Sequence, residues 1–140
     1  MGKAAAVWQG GLKDGKGMLS SESGILSQTP YSFKTRFENE KGTNPEELIA
    51  AAHSGCFAMA LSAELGKAGM VPTKLEATAT ISLEQQGGGF SITKSHIDLI
   101  ATIPGADQEK FQTAVKAAET GCPVSKLLKA EITVSAKLNA

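Results

Sequence analysis

From Leu48 to Leu65 nearly every residue is small or apolar, and a helix with that pattern has no broad polar stripe to turn toward water. The run also carries its own punctuation. Asn44 is placed as an N-cap, Pro45 as the first helical residue, and Glu46 and Glu47 put acids in the first turn, where the unpaired N–H groups favour them. Gly66 and Gly69 close the run and Pro72 prevents its continuation. A helix of this kind must be covered on several sides, so it is expected at the centre of the fold or of a dimer. The apolar stretch falls short of the roughly 20 residues of a membrane-spanning helix, so no membrane span is expected.

Around that helix the chain reads as short strands. Ala4 to Trp8, Gly17 to Ser20 and Tyr31 to Phe37 are separated by Gly10-Gly11, Asp14-Gly15 and Ser23-Gly24, the punctuation of hairpins and turns. In the third segment Tyr31, Phe33, Thr35 and Phe37 alternate with Ser32, Lys34, Arg36 and Glu38, which reads as a strand with Arg36 opposite the aromatics. Glu40 to Thr43 reads as a loop. Leu75, Ala77, Ala79, Ile81 and Leu83 alternate with Glu76, Thr78, Thr80, Ser82 and Glu84, the clearest half-buried strand in the sequence. Gly87-Gly88-Gly89 turns it back into Phe90 to Ile103, whose apolar phase slips near Lys94 and predicts a bulge there. Asp107 to Thr120 is helical, with Phe111, Ala114, Val115 and Ala118 on one face and Gly121 as its stop. A short helix over Pro123 to Ala130 precedes a closing strand in which Ile132, Val134, Ala136 and Leu138 alternate. The expected class is α+β, one domain over residues 1–140, with antiparallel strands around two main helices.

The formal net charge is zero and the lysines are scattered, so neither a nucleic acid nor an anionic membrane is indicated as partner. A small molecule or a second copy of the chain fits better. Of the 14 basic residues Arg36 is the only arginine. Chance can leave one arginine, but a lone guanidinium also suits a job that lysine does badly, a planar fork that orients an anion. Met1 to Gly10 has no apolar run long enough for a secretory leader, which points to a reducing cytosol. There a lone pair of cysteines is more often catalytic or redox-active than a staple.

Cys56 lies ten positions after Glu46, close to three helical turns, so both side chains leave the helix from roughly the same side. Their backbones are about 15 Å apart at a rise of about 1.5 Å per residue, which rules out direct contact. A guanidinium gripped by Glu46 and facing the sulfur would link them. A thiol is only a few per cent ionised at pH 7, and an opposite charge within about 4–6 Å shifts such a group by one to three units. Cys56 sits mid-helix, beyond the reach of the helix dipole, so it needs an outside cation to react; otherwise it is a small apolar residue in a packed helix. Cys122, followed by Pro123, would occupy the N-cap of the short helix, where N–H groups stabilise a thiolate. On local electrostatics Cys122 could itself be the attacking residue. His53, three residues before Cys56, could serve as a base in a hydrolase-like pair, or be a partly buried histidine satisfied by a neighbour. The two cysteines with His53 and His96 show no zinc spacing, and Gly87 to Gly89 lacks the lysine and helix of a phosphate loop. No cofactor is indicated.

The stretch Arg36-Phe37-Glu38, Gly42-Thr43-Asn44-Pro45-Glu46-Glu47-Leu48-Ile49-Ala50-Ala51-Ala52-His53-Ser54-Gly55-Cys56-Phe57, joined to Gly121-Cys122-Pro123-Val124-Ser125, resembles the OsmC branch of the OsmC and organic hydroperoxide resistance (Ohr) family. The likeness extends to Ser21-Glu22-Ser23-Gly24 and Lys129-Ala130-Glu131-Ile132-Thr133. It implies an intertwined homodimer with sheets wrapped around central helices. It also implies a thiol peroxidase in which Cys56 attacks, Cys122 resolves, and Arg36 with Glu46 activates, restored by an external dithiol such as a lipoyl group or a small thiol. In the Ohr branch the arginine comes from an earlier segment, here Gly11 to Lys16, which holds only lysines, so the resemblance favours Arg36. The alternatives are a ligand-binding or stress-related dimer with incidental cysteines and, more weakly, the Cys56–His53 hydrolase.

Overall fold

The computed structural model describes all residues 1–140. The fold is mixed α+β, and the chain divides into two compact units, Met1–Leu48 and Ile49–Ala140.

The first unit holds strands β1 (Ala4–Gln9), β2 (Lys16–Ser21) and β3 (Thr29–Tyr31) in an antiparallel sheet of order β1-β2-β3. Gly17 is required where the Trp8 and Tyr31 rings meet, 5.6 Å between centroids, because a Cβ there would collide with both rings. The expected strand from Tyr31 to Phe37 is corrected: β3 ends at Tyr31 and α1 (Phe33–Phe37) follows. Ser32 opens this turn with a capping box, its Oγ accepting the Thr35 N–H (3.2 Å) while Thr35 Oγ1 accepts the Ser32 N–H (2.7 Å). Phe33 and Phe37 alternate as strand residues would, but they are also four apart. In the helix their rings stack at 4.8 Å between centroids. The buried residues of this unit are Gly15, Gly17, Thr35 and Thr43, so it has no buried aliphatic or aromatic core of its own.

Helix α2 (Pro45–Lys67) begins at the end of the first unit. Asn44 Oδ1 accepts the Glu47 N–H at 2.8 Å, the bond of an N-cap, and Thr43 Oγ1 donates to Glu47 Oε1 at 2.7 Å. Its end is set by Gly69 at φ +78°; Met70 N–H reaches back to Leu65 O at 2.9 Å and Gly69 N–H to Gly66 O at 3.0 Å, the paired bonds of a Schellman stop. Gly66, expected as a stop, lies inside the helix. Length and composition do make α2 long and apolar enough to cross a bilayer, contrary to the sequence expectation, because the helix extends beyond the apolar stretch at both ends. It nonetheless packs as a core element: His53, Phe57, Leu61 and Leu65, four apart, are fully buried in the second unit. Within one chain this is a single stripe rather than burial on several sides, and Ala51, Ala52, Gly55 and Met59 stay exposed.

In the second unit β4 (Lys74–Gln86) and β5 (Gly89–Thr102) form an antiparallel hairpin through Gly87 and Gly88 at φ +54° and +83°. Two successive positive angles are what a two-residue hairpin turn of this kind needs. The register shifts where Ser82 pairs Lys94 and Leu83 pairs Ile92, leaving Thr93 as the bulge. That shift sets the inward phase of β5, with Ser95, Ile97, Leu99 and Ala101 buried. Helices α3 (Gln108–Gly121) and α4 (Pro123–Leu127) lead to β6 (Glu131–Asn139). Strand β6 runs parallel to β5, the exception to the expected antiparallel arrangement. The two helices between them make the crossover that parallel neighbours require. Helix α4 ends at Leu127 rather than Ala130, since Leu128 is already extended at ψ 129°. Phe111, Ala114, Val115 and Ala118 of α3 complete a core that contains all the buried apolar side chains of the chain.

Candidate active site

The second unit brings the two cysteines together. Cys56 is half-buried on α2, next to the fully buried Phe57. Cys122 is fully buried at the joint between helices, where its N–H bonds Ala118 O (3.0 Å) at the end of α3 and its carbonyl accepts Lys126 N–H (3.1 Å) in α4. Pro123 cannot continue α3 and is preset for the first turn of α4, so the cysteine is held at φ −58°, ψ 127°. Both thiols are unbridged, and each acts on the ionisation of the other.

The pair is electrostatically asymmetric. Burial, then the contact with Cys122, pushes the Cys56 thiol up, and the Val124 N–H only partly offsets this. Burial also acts against ionisation of Cys122, but the Cys56 side chain, the Ser125 N–H, the Ser125 hydroxyl and the Val124 N–H together carry it below the ordinary thiol value. The Cys122 sulfur makes no regular capping hydrogen bond; these donors act by proximity. Within this unit Cys122 is therefore the more readily ionised of the two thiols. Cys56 becomes a thiolate only with help from a cation, since the midpoint of a helix offers none.

The first unit brings Arg36 and Glu46 together. Arg36 Nε lies 3.1 Å from both Glu46 oxygens, and Nη2 is 2.5 Å from Oε1. The guanidinium also sits 5.6 Å from the Phe37 ring centroid. This two-nitrogen grip fixes the plane of the fork and leaves the Nη1 edge uncommitted. Beside Arg36, Trp8, Leu12, Tyr31, Phe33 and Phe37 line an apolar recess of about 220 Å³.

His53 is not a base for Cys56. Its Nδ1 is 2.6 Å from Ser95 Oγ and its Nε2 is 2.8 Å from Ser125 Oγ. Both nitrogens are thus occupied, and burial lowers its pKa from the ordinary 6.5, which removes the hydrolase reading. Neither Ser95 nor Ser125 stands out in the sequence as a functional residue. The signal was present for Ser125, third in a helix whose cap is Cys122; none marked Ser95.

A family model described as OsmC-like protein matches residues 38–137. The chain is 52% identical over 138 residues, 99% of its own length and 96% of the relative's, to Peroxiredoxin OsmC of Escherichia coli (strain K12). It is 29% identical over 123 residues, 87% of this chain and 88% of the relative, to the organic hydroperoxide resistance protein OhrB of Bacillus subtilis (strain 168). The crystal structure of Bacillus subtilis OhrB superposes with a TM-score of 0.70 at 28% identity, covering 98% of both chains. An OsmC-like protein from Mycoplasma pneumoniae shares the fold at a TM-score of 0.77 and 15% identity, covering 100% of this chain and 98% of that one.

Proposed function

The chain belongs to the OsmC family, and from that premise we propose that it is a thiol-dependent peroxidase reducing organic hydroperoxides, with Cys56 attacking and Cys122 resolving. The observation that carries the reading is the pair of unbridged thiols in mutual electrostatic contact, one on α2 and one at the head of α4. A ligand-binding dimer with incidental cysteines leaves that contact without a role.

Arg36 supplies the cation that Cys56 needs. In its favour stand its uniqueness among the basic residues and its fixed orientation on Glu46. Cys56 thiolate attacks the terminal peroxide oxygen; the O–O bond breaks, the leaving alkoxide takes a proton to become an alcohol, and Cys56 becomes a sulfenic acid. Cys122 thiolate then attacks the Cys56 sulfur; the S–O bond breaks, hydroxide leaves as water on protonation, and a disulfide forms. An external dithiol, lipoyl or small, restores both thiols by exchange and is itself oxidised. The recess beside Arg36, lined by aromatic rings, suits the organic part of a hydroperoxide better than hydrogen peroxide.

The working form is a cytoplasmic homodimer of single OsmC-like domains. A three-stranded sheet without an apolar core does not stand alone, and the open apolar faces of α2 leave a surface that a second copy would cover. Reduction of the disulfide needs the thiol pools of a reducing compartment. The deciding assay is consumption of cumene hydroperoxide with dithiothreitol as reductant. Turnover is expected in the unaltered protein and none in Cys56→Ser, whose hydroxyl does not ionise at neutral pH; retained activity in that variant would reassign the attack to Cys122.

A further inference from the structure

The peroxidase reading uses Cys56, Cys122, Arg36 and Glu46, yet the one fully buried histidine of the second unit is none of these. His53 is fully buried and tied at both ends. On one side is Ser95, fully buried, at an inward position of β5; on the other is Ser125, also buried, in α4. Ser125 is the third residue of α4, whose cap is Cys122, and its hydroxyl is among the groups that act on the Cys122 sulfur. Three side chains from β5, α2 and α4 thus make one continuous line, Ser95, His53, Ser125, which leads into the turn that Cys122 caps. A histidine needed only to pin α2 to its neighbours would not require its second partner to sit in the turn that Cys122 caps.

We propose that Ser95, His53 and Ser125 form a directed hydrogen-bond chain that holds the resolving Cys122 in place, with His53 acting through Ser125 as a positioning residue for the disulfide-forming step. The inference rests on the assignment of Cys122 as resolving thiol. The direction follows from donor counting. A thiolate only accepts, so the Ser125 O–H donates to Cys122; its oxygen then accepts from His53 Nε2–H, and the bare Nδ1 accepts the Ser95 O–H. Neutral His53 in the Nε2–H form satisfies every member. When Cys56 has become a sulfenic acid, the chain keeps the Cys122 sulfur aimed for attack. The groups acting on that sulfur are the Cys56 side chain from α2, the Ser125 hydroxyl, and the N–H groups of Val124 and Ser125; no lysine, arginine or carboxylate is among them. Removing the hydroxyl therefore takes away a donor that lowers the Cys122 thiol and none that acts on Cys56, so, of the two chemical steps, the disulfide-forming step is the one that responds.

The test separates these steps in the full-length protein. One equivalent of cumene hydroperoxide is mixed rapidly with reduced protein at several pH values; sulfenic acid is trapped with dimedone, and disulfide is followed by mass under non-reducing conditions. In Ser125→Ala, peroxide consumption is expected to be no slower. Disulfide formation is expected to slow about tenfold or more, the lower end for losing a hydrogen bond to a charged group, with its pH midpoint moved upward. Ser125→Thr, which keeps the hydroxyl, should restore both rate and midpoint. A disulfide rate and midpoint unchanged in Ser125→Ala would overturn the chain and leave the peroxidase reading intact, whereas failure of the unaltered protein to form sulfenic acid on Cys56 would overturn that reading itself. Nitrogen NMR of the unaltered protein gives an arm independent of any variant's folding: the neutral Nε2–H tautomer of His53 is expected, and Nδ1–H would overturn the proposed direction.

Discussion

Replacing His53 with leucine tests the core at its one buried titratable bridge. The substitution keeps an apolar side chain of moderate size on α2 but strands the hydroxyls of Ser95 and Ser125, both buried and both bonded to the ring at 2.6 and 2.8 Å. Each buried hydroxyl left without its partner costs about 1–3 kcal/mol, so the variant should be destabilised by about 2–6 kcal/mol near neutral pH. The pH dependence gives a second handle. Burial lowers the folded pKa of His53 below its ordinary 6.5, so the unfolded chain binds a proton that the folded one refuses. The contribution of neutral His53 is complete above about pH 6.5 and declines as acid is added, until the folded pKa is reached. One proton corresponds to about 1.4 kcal/mol per pH unit; between pH 7.5 and 5.5 the native protein should therefore lose up to about 1.4 kcal/mol that His53→Leu does not lose. The measurement is urea unfolding at fixed protein concentration across that range, in a His96→Gln background to remove the other histidine, with midpoint and slope fitted together. A gap under about 1 kcal/mol at pH 7.5, or one that stays constant down to pH 5.5, would refute the reasoning.

The other expectations concern the thiols and the assembly. Cys122→Ser should consume one equivalent of peroxide and stop as a sulfenic acid trappable by dimedone; sustained turnover would remove Cys122 as resolving residue. Arg36→Lys keeps the charge but not the fork that grips Glu46 at Nε and Nη2, so the pH midpoint of Cys56 alkylation should rise, and Glu46→Gln should raise it in the same direction; midpoints unchanged in both variants would remove the pair from activation. Light scattering at micromolar concentration should give twice 14.5 kDa, and a fully active species of monomer mass would overturn the proposed dimer.

Much of this protein is legible from local rules. Asn44-Pro45-Glu46-Glu47 starts α2, Gly87-Gly88 turns the hairpin, the slipped phase near Lys94 marks the bulge at Thr93, and Asp107 and Gly121 bracket α3 within a residue. Caps, turns and alternation are properties of a few neighbouring residues, so they can be read without knowing what packs where. Three features could not be read that way. The spacing of Phe33, Thr35 and Phe37 fits both a strand and a helical turn, and the Ser32–Thr35 capping box decides for the turn. The direction of β6 depends on α3 and α4 carrying the chain across the sheet before it pairs with β5, and the alternation of Ile132, Val134, Ala136 and Leu138 is the same for either direction. The unequal readiness of the two thiols to ionise is wholly tertiary. The sequence offers two cysteines and a histidine three residues from one of them, and proximity along the helix pairs His53 with Cys56. The fold turns His53 into the core instead, where Ser95 and Ser125, 42 and 72 residues distant along the chain, take both of its nitrogens. A buried polar group must find its partners wherever the packed core brings them, and sequence spacing carries no record of that meeting.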